Sequence, residues 1–455
     1  MDSLEKRDAL PRLAALPCAL SGTALVVLGM VKLTGLPLGG PAAHSAVGAV
    51  LVLLALAALG ILYWYSRDRA LTLCALLPVG AAIFLRCICM DHVTLDYQDF
   101  LSGWAAFFRD NGGWAAIKLP KGNYNVPYLY FLAFLSYFPL PDLYGIKLFS
   151  ILFDVLLAWG GLRLVRVFTG ADSPKPYAAF CLLLLLPTVI LNGSYWAQCD
   201  AIYGALCLHA LASGLDRKPK SSVVLLALAF SFKLQAIFLI PLWCALWFTR
   251  RVKFRELCLF PATYLVSILP ALLLGKPLMD ILGVYLGQTV EYKDYLTLNA
   301  PSVYALIPYG AEVDTASAAR FGILAAALFL ALLLLVLFLN RDRVTDEMLL
   351  IAGVMMAIGI PLFLPHMHDR YFFLADVLTL CWACLTLWRI PQALAVQIAS
   401  LGAYHAYLVL RYAFPMAWGT LLLLAALVSA AVLLWNRLDA PARPTPQHAK
   451  KPRRH

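Results

Sequence analysis

Three short polar segments and one lone lysine interrupt an otherwise apolar chain, and their residue types are ones that do chemistry. Asp91-His-Val-Thr-Leu-Asp96-Tyr-Gln-Asp99-Phe100 holds three carboxylates, of which Asp96 and Asp99 are three residues apart. On a helix they share a face. Such a pair serves as a general base, or takes a divalent ion with His92 as a further ligand. An aspartate also opens helices as an N-cap, and that blander reading stands beside the first. Asn192-Gly-Ser-Tyr195-Trp196-Ala-Gln198-Cys-Asp200 lies between two apolar runs. A turn needs fewer polar groups than Tyr195, Trp196, Gln198 and Asp200 supply, although Trp and Tyr also belong at a membrane interface. The Asn192-Gly-Ser194 triplet matches a glycosylation acceptor by chance, so close to the membrane. Pro365-His366-Met-His368-Asp369-Arg370-Tyr371 gathers two histidines, an acid and an arginine. Two histidines at i, i+2 are weak evidence for zinc. Arg370 suits a phosphate, because its planar fork pairs two oxygens at once. Lys233 is a snorkelling side chain or the partner of a phosphate or an aspartate.

The elements that position these groups are membrane helices. Of 455 residues, 62% are hydrophobic and 13% charged, too little polar surface for a soluble protein. A bilayer core takes about 20 apolar residues per helix. The apolar runs 12–34, 45–65, 70–90, 144–166, 176–193, 199–214, 221–235, 237–249, 255–274, 318–340, 346–364, 371–388, 391–410 and 413–436 predict an all-α bundle with about fourteen transmembrane helices. The middle runs are short, as helices lining a cavity are allowed to be. No polar block separates a second domain, so 1–436 reads as one membrane domain and 437–455 as a basic, disordered cytoplasmic tail.

The net charge of +11 does not point to nucleic acid, because the cations sit in short loops. Lys6, Arg7 and Arg12, then Arg67 and Arg69, Arg163 and Arg166, Arg217 and Lys218, Arg250 and Arg251, Arg341 and Arg343, and the tail all fall on one side. The positive-inside rule makes that side cytoplasmic, with both termini. It holds only if 127–139 lies on the opposite face instead of crossing. Residues 91–143 then form one long extracytoplasmic loop, a length associated with function. A second runs over about 275–317. Eight of the eleven cysteines lie within apolar runs as small hydrophobes, not as a disulfide framework.

The order of these segments resembles the GT-C superfamily of polyprenyl-phosphate-sugar-dependent glycosyltransferases. Within it the chain is similar to bacterial mannosyltransferases related to the second GPI-anchor mannosyltransferase, and to the dolichyl-phosphate-glucose transferases. Asp96-Tyr-Gln-Asp99 resembles the acidic motif of the first loop, and Asn123-Tyr-Asn-Val-Pro127-Tyr-Leu-Tyr130 the start of its surface helix. Phe230-Ser-Phe-Lys233-Leu-Gln235 and Leu298-Asn299-Ala-Pro-Ser302-Val-Tyr304 match further family segments, with Ser302 replacing an asparagine. His366-Met-His368-Asp369-Arg370 is similar to the family's His-x-His-acid-base run. The likeness covers roughly 70–390. It departs from many relatives in having Asp-x-x-Asp instead of adjacent acids, which leaves the second role of Asp99 open.

The resemblance implies transfer of a hexose, mannose by the family's name, from a polyprenyl-phosphate sugar at the extracytoplasmic face of a cell membrane. The acceptor is a lipid-linked glycan, a polymer or a protein. Asp96 would be the base, with Asp99 as a possible second acid. Arg370, Lys233, His366 and His368 would hold the donor phosphate. Gln198, Asp200, Asn299, Tyr195 and Trp196 would position the sugar. No cofactor is required, although a divalent ion at Asp96 and Asp99 fits the same residues. A secondary transporter and a non-catalytic lipid- or glycan-handling protein are the competing classes. Against the first, no internal repeat is visible and the ionisable groups sit at the ends of the runs.

Overall fold

Each apolar run folds as helix, and the length of each helix is set by where proline or a polar group breaks it. The computed structural model describes residues 3–440 other than Ala171 and Tyr309, so the expected tail beyond residue 440 lies outside the described residues. In chain order the helices are α1 (Ser3–Thr34), α2 (Pro41–Ser66), α3 (Arg69–Cys89), α4 (Ser102–Asp110), α5 (Val126–Leu135), α6 (Asp142–Thr169), α7 (Lys175–Leu185), α8 (Pro187–Ile190), α9 (Asp200–Leu215) and α10 (Pro219–Phe232). They continue as α11 (Leu242–Phe248), α12 (Phe254–Leu257), α13 (Leu259–Leu273), α14 (Leu278–Val290), α15 (Thr315–Leu339), α16 (Asp346–Phe363), α17 (Phe373–Leu385), α18 (Ile390–Leu408) and α19 (Met416–Asp439). Two short strands, β1 (Thr297–Leu298) and β2 (Met367–His368), pair in parallel.

The chain is an all-α membrane protein, but with fewer spans than expected. Among the described residues eight helices are long and apolar enough to cross a bilayer, or nine if a bent pair is one span. That pair is Lys175–Leu185 with Pro187–Tyr195, bent by 46° at a proline that cannot continue the α7 ladder. The runs at 199–214, 221–235 and 371–388 become helices of 16, 14 and 13 residues, and 237–249 becomes the end of a 3-10 turn and the seven-residue α11. The polar side chains Gln392, Gln397, Ser400, Tyr404, His405 and Tyr407 keep α18 out of the count. The stretch 127–139 is likewise no span: α5 has ten residues, capped by the Asn125 side chain on the Val126 N–H at 2.8 Å.

Helix faces sort by their surroundings. On α1 and α15 large apolar side chains such as Leu20, Val27, Phe321 and Leu328 stay exposed, as lipid-facing helices require. In contrast, α9 and α16 are buried on nearly every side and form the centre. Helices α1 and α3 cross so closely that a Cβ at Gly22 or Gly80 would run into the opposite backbone, the small-residue contact of membrane bundles.

An ion pair inside the bundle joins α3 to α6. Arg86 donates to Asp154 Oδ2 through Nε at 3.0 Å and Nη2 at 2.8 Å, and through Nη1 to the Leu184 carbonyl at 3.0 Å. Both side chains are buried. Removing one partner strands the other charge, at a cost of about 3–5 kcal/mol. Arg86→Met is therefore expected to lower the unfolding temperature in detergent sharply. Arg86→Met with Asp154→Leu is expected to recover most of the loss in the same melting scan.

Candidate active site

Two π-helical turns, Tyr97–Leu101 and Leu191–Tyr195, approach each other near one end of α6. Such turns are rare and recur at functional sites. Asp96 stands immediately before the first and Trp196 immediately after the second. They bond to each other: Trp196 Nε1 donates to Asp96 Oδ2 at 2.8 Å. Gln198 Nε2 donates to the same oxygen at 2.7 Å, and the Tyr407 hydroxyl donates to Oδ1 at 2.7 Å. A carboxylate offers about four lone-pair sites, so these three donors fix its orientation and leave one site open.

Arg370 comes from the far end of the sequence to meet Asp96. Its Nη1 lies 3.5 Å from Asp96 Oδ2 and 3.7 Å from Asp369 Oδ1, and its Nε 3.6 Å from Asp200 Oδ2. These are ion-pair distances beyond good hydrogen bonds. The buried Nε has no hydrogen-bond partner. The guanidinium also lies over the Trp196 ring, 5.4 Å from its centre, a cation–π contact. Arg370 is thus held in place by charge and by an aromatic face while hydrogen-bonding capacity is left unspent.

Behind this pair is a buried support. Asp200 accepts from Lys233 Nζ at 2.5 Å and from Asn192 Nδ2 at 2.6 Å, and its own N–H donates to Asn192 Oδ1 at 3.1 Å. The lysine's partner is therefore an aspartate. Lys147, buried on α6, donates to the carbonyls of Cys89, Met90 and His92 at 2.7, 3.0 and 2.7 Å. It satisfies the free carbonyls at the end of α3 and so anchors the start of the segment carrying Asp96.

Asp96 and Arg370 open into one cavity of about 1160 Å³. Asp99, Gln198, Lys233, Asn299, His366 and His368 also line it. Asp99 is exposed and makes no bond with the groups around Asp96. Asn299 accepts from the Tyr412 hydroxyl at 2.6 Å. His366 pairs through Nδ1 with the Tyr295 carbonyl at 2.6 Å. The His368 ring packs against Tyr292 and Tyr371, and its burial, helped by Arg370, pushes its pKa down to about 3.

Three residues expected to touch substrate do not line the cavity. Trp196 and Asp200 are buried behind its wall, where they orient Asp96, Lys233 and Arg370. Tyr195 stacks on His92 with ring centres 3.5 Å apart, outside the cavity. Among the described residues no three His, Cys, Asp or Glu side chains gather in one place.

Backbone geometry at the site is unusual as well. Ala197, Asn299 and His366 have φ of 66°, 57° and 61°, in the left-handed region. Asn tolerates it, but Ala and His carry a cost of about 1–3 kcal/mol each, which a well-determined site absorbs. Tyr407, Lys147 and Tyr124, which lines the cavity and donates its hydroxyl to Gln198 Oε1 at 3.2 Å, carry no part in the reading of the sequence. Tyr407 had a signal: Gln397, Ser400, Tyr404 and Tyr407 recur at helical spacing and mark a polar stripe on α18. Asn192 also donates to the Tyr404 hydroxyl at 3.2 Å, so the stripe reaches the site at two points. No known family profile matches the chain, and no curated protein matches it.

Proposed function

We propose that this protein is a membrane glycosyltransferase that moves a hexose, mannose by resemblance, from a polyprenyl-phosphate sugar to an acceptor hydroxyl. The observation that carries the reading is the 3.5 Å approach of Arg370 to Asp96 at the wall of a large cavity. A base and a phosphate-binding fork that open into one cavity are the two groups that transfer from a sugar phosphate uses. The basic loop residues Arg166, Arg217, Arg251 and Arg343 collect at the other end of the bundle. By the positive-inside rule the cavity then faces the extracytoplasmic side.

The acceptor hydroxyl attacks the anomeric carbon as the bond from that carbon to the phosphate oxygen breaks. The electron pair leaves with the phosphate, and the hydroxyl proton passes to the open lone pair of Asp96. Attack opposite the phosphate inverts the anomeric centre. Charge grows on the departing phosphate, and Arg370 is placed to stabilise it through N–H groups free of other bonds. Lys233 acts through Asp200 and shares that carboxylate with Arg370. Gln198, Asn299 and Tyr124 line the cavity and offer groups for sugar hydroxyls.

Asp369 makes the site sensitive to pH. Burial pushes its carboxyl up to about 7, against the pull of Arg370, and one of its oxygens has no hydrogen-bond partner. Below that pH Asp369 is neutral and Arg370 faces two carboxylates; above it Arg370 faces three and holds a phosphate less well. Donor KM is expected to rise about fivefold between pH 6 and pH 8, the effect of ~1 kcal/mol between close charges screened as in water. Asp369→Asn is expected to flatten this rise, read from initial rates across that range.

The test is an assay of purified protein with a radiolabelled polyprenyl-phosphate sugar and a panel of glycan and peptide acceptors. Label in the acceptor, with the anomeric configuration inverted, is the expected result. A transporter would instead move the donor between the faces of a proteoliposome and release it intact. That outcome, without label in any acceptor, would end the enzyme reading.

A further inference from the structure

A second hollow lies far from the cavity just described. Lys147, beside the active cavity, and Arg166 are both on α6, nineteen residues apart. At 1.5 Å per residue that is about 28 Å, close to the thickness of a bilayer's hydrocarbon core. Around Arg166 is a cavity of about 580 Å³, walled by Tyr65, Arg163, Arg217 and Lys218 together with Asp216 and Asp346. Four cations face two carboxylates, and both carboxylates are already engaged. Lys218 Nζ binds Asp216 at 2.6 Å. Arg251, from a neighbouring loop, binds Asp346 at 2.6 Å and leaves Arg217 a longer contact of 3.8 Å.

Arg163 and Arg166 have no carboxylate partner among the described residues. Arg163 is oriented by neutral groups, with Nη1 2.8 Å from His209 Nδ1 and Nη2 donating to Ser213 Oγ at 3.0 Å. Arg166 lies over the Tyr65 ring, 4.7 Å from its centre. Trp159 Nε1 donates to the Tyr65 hydroxyl at 3.1 Å and so holds that ring. Each guanidinium is positioned, half-buried and short of negative charge. A set of forks fixed around a concave space, with positive charge in excess, matches the oxygens of a phosphate.

We infer that this hollow is a binding site for a phosphate group, separate from the active cavity and at the opposite membrane surface. The phosphate belongs to an anionic lipid headgroup or is a free anion. Positive charge in cytoplasmic loops is general in membrane proteins and is spread over the surface. Here it converges on one pocket, and the test turns on that difference.

The full-length protein in neutral detergent is titrated with phosphatidylglycerol, with phosphatidylcholine, and with inorganic phosphate. Binding is read by native mass spectrometry and by melting temperature. The variant Arg166→Gln/Arg217→Gln is compared with Arg341→Gln/Arg343→Gln, which removes the same charge outside the pocket. The pocket variant is expected to bind phosphatidylglycerol about tenfold more weakly and the other to stay within twofold. A response to phosphatidylglycerol alone assigns a lipid headgroup; the same loss with inorganic phosphate assigns a free anion. Equal loss in both variants, or none in the pocket variant, overturns the site. If the double variant does not fold, Arg166→Gln against Arg341→Gln makes the same comparison, since Arg166 carries no ion pair among the described residues.

Discussion

Asp96→Asn is expected to lower turnover by about 10²–10⁴-fold while leaving the chain folded and the donor bound, a loss of ~3–5 kcal/mol in transition-state stabilisation. Asparagine keeps the shape of the side chain. Its oxygen still accepts from Trp196 and Gln198, and the Tyr407 hydroxyl, which donates to Asp96 at present, can rotate to accept from the new amide. What is lost is the negative charge and, with it, the capacity to take a proton. The sign on binding runs the other way. Removing a negative charge 3.5 Å from Arg370 leaves that cation less neutralised, so donor affinity is expected to hold or improve. A fall in kcat with an unchanged or lower donor KM is the signature of a lost base. Normal turnover by this variant would show that another group takes the proton.

Arg370→Gln is expected to cost about 10²–10³-fold in kcat/KM, the range for removing a group that stabilises developing negative charge. Arg370→Lys is expected to restore little, because an ammonium is a point charge without the planar fork. Both substitutions also disturb three carboxylates, since Asp96, Asp200 and Asp369 all lie within 3.7 Å of the guanidinium. A melting scan beside the kinetics separates the two effects. Combining Arg370→Gln with Asp369→Asn removes a charge of each sign; it is expected to recover melting temperature but not rate. Recovery of rate by lysine would mean that charge alone suffices and that the fork is not used.

Both groups were legible in the sequence, because an ionisable residue at the end of an apolar run is costly and so informative. Their meeting was not, since nothing in local spacing links the segment after α3 to the turn before α17. The same holds for the supports. Lys147 and Asp154 lie within an apolar run on α6, and only the fold reveals that one caps α3 and the other neutralises Arg86. Lys233 was read as needing a partner; Asp200 supplies it, and the two are 33 residues apart. The span count was overestimated for a physical reason. Hydropathy reports that a run is buried, and runs such as 199–214 and 371–388 are buried by neighbouring helices, not by lipid, so they need not be long. The class of fold followed from composition, and the lengths followed from breaks such as the one at Pro187. The resemblance implies that Trp196 and Asp200 position the sugar, but neither lines the cavity. They lie one layer deeper, where burial makes them supports.

The site also differs from a simple anion trap. Asp96, Asp200 and Asp369 surround Arg370, and Lys233 is committed to Asp200. On the proposed function, such a site would reward a ligand that brings phosphate and hydroxyls together, with the carboxylates and amides at its wall toward the sugar and Arg370 toward the phosphate. A free phosphate meets the same cation with nothing to offset the surrounding negative charge.

The most direct test of the central claim is a cryo-electron microscopy structure of the protein with a non-transferable phosphonate analogue of the polyprenyl-phosphate sugar. The expected result places the phosphonate oxygens within hydrogen-bond distance of Arg370 and turns the face of the sugar opposite the phosphonate towards Asp96. Density for the analogue outside this cavity, or with its phosphonate away from Arg370 and its sugar away from Asp96, would contradict the account.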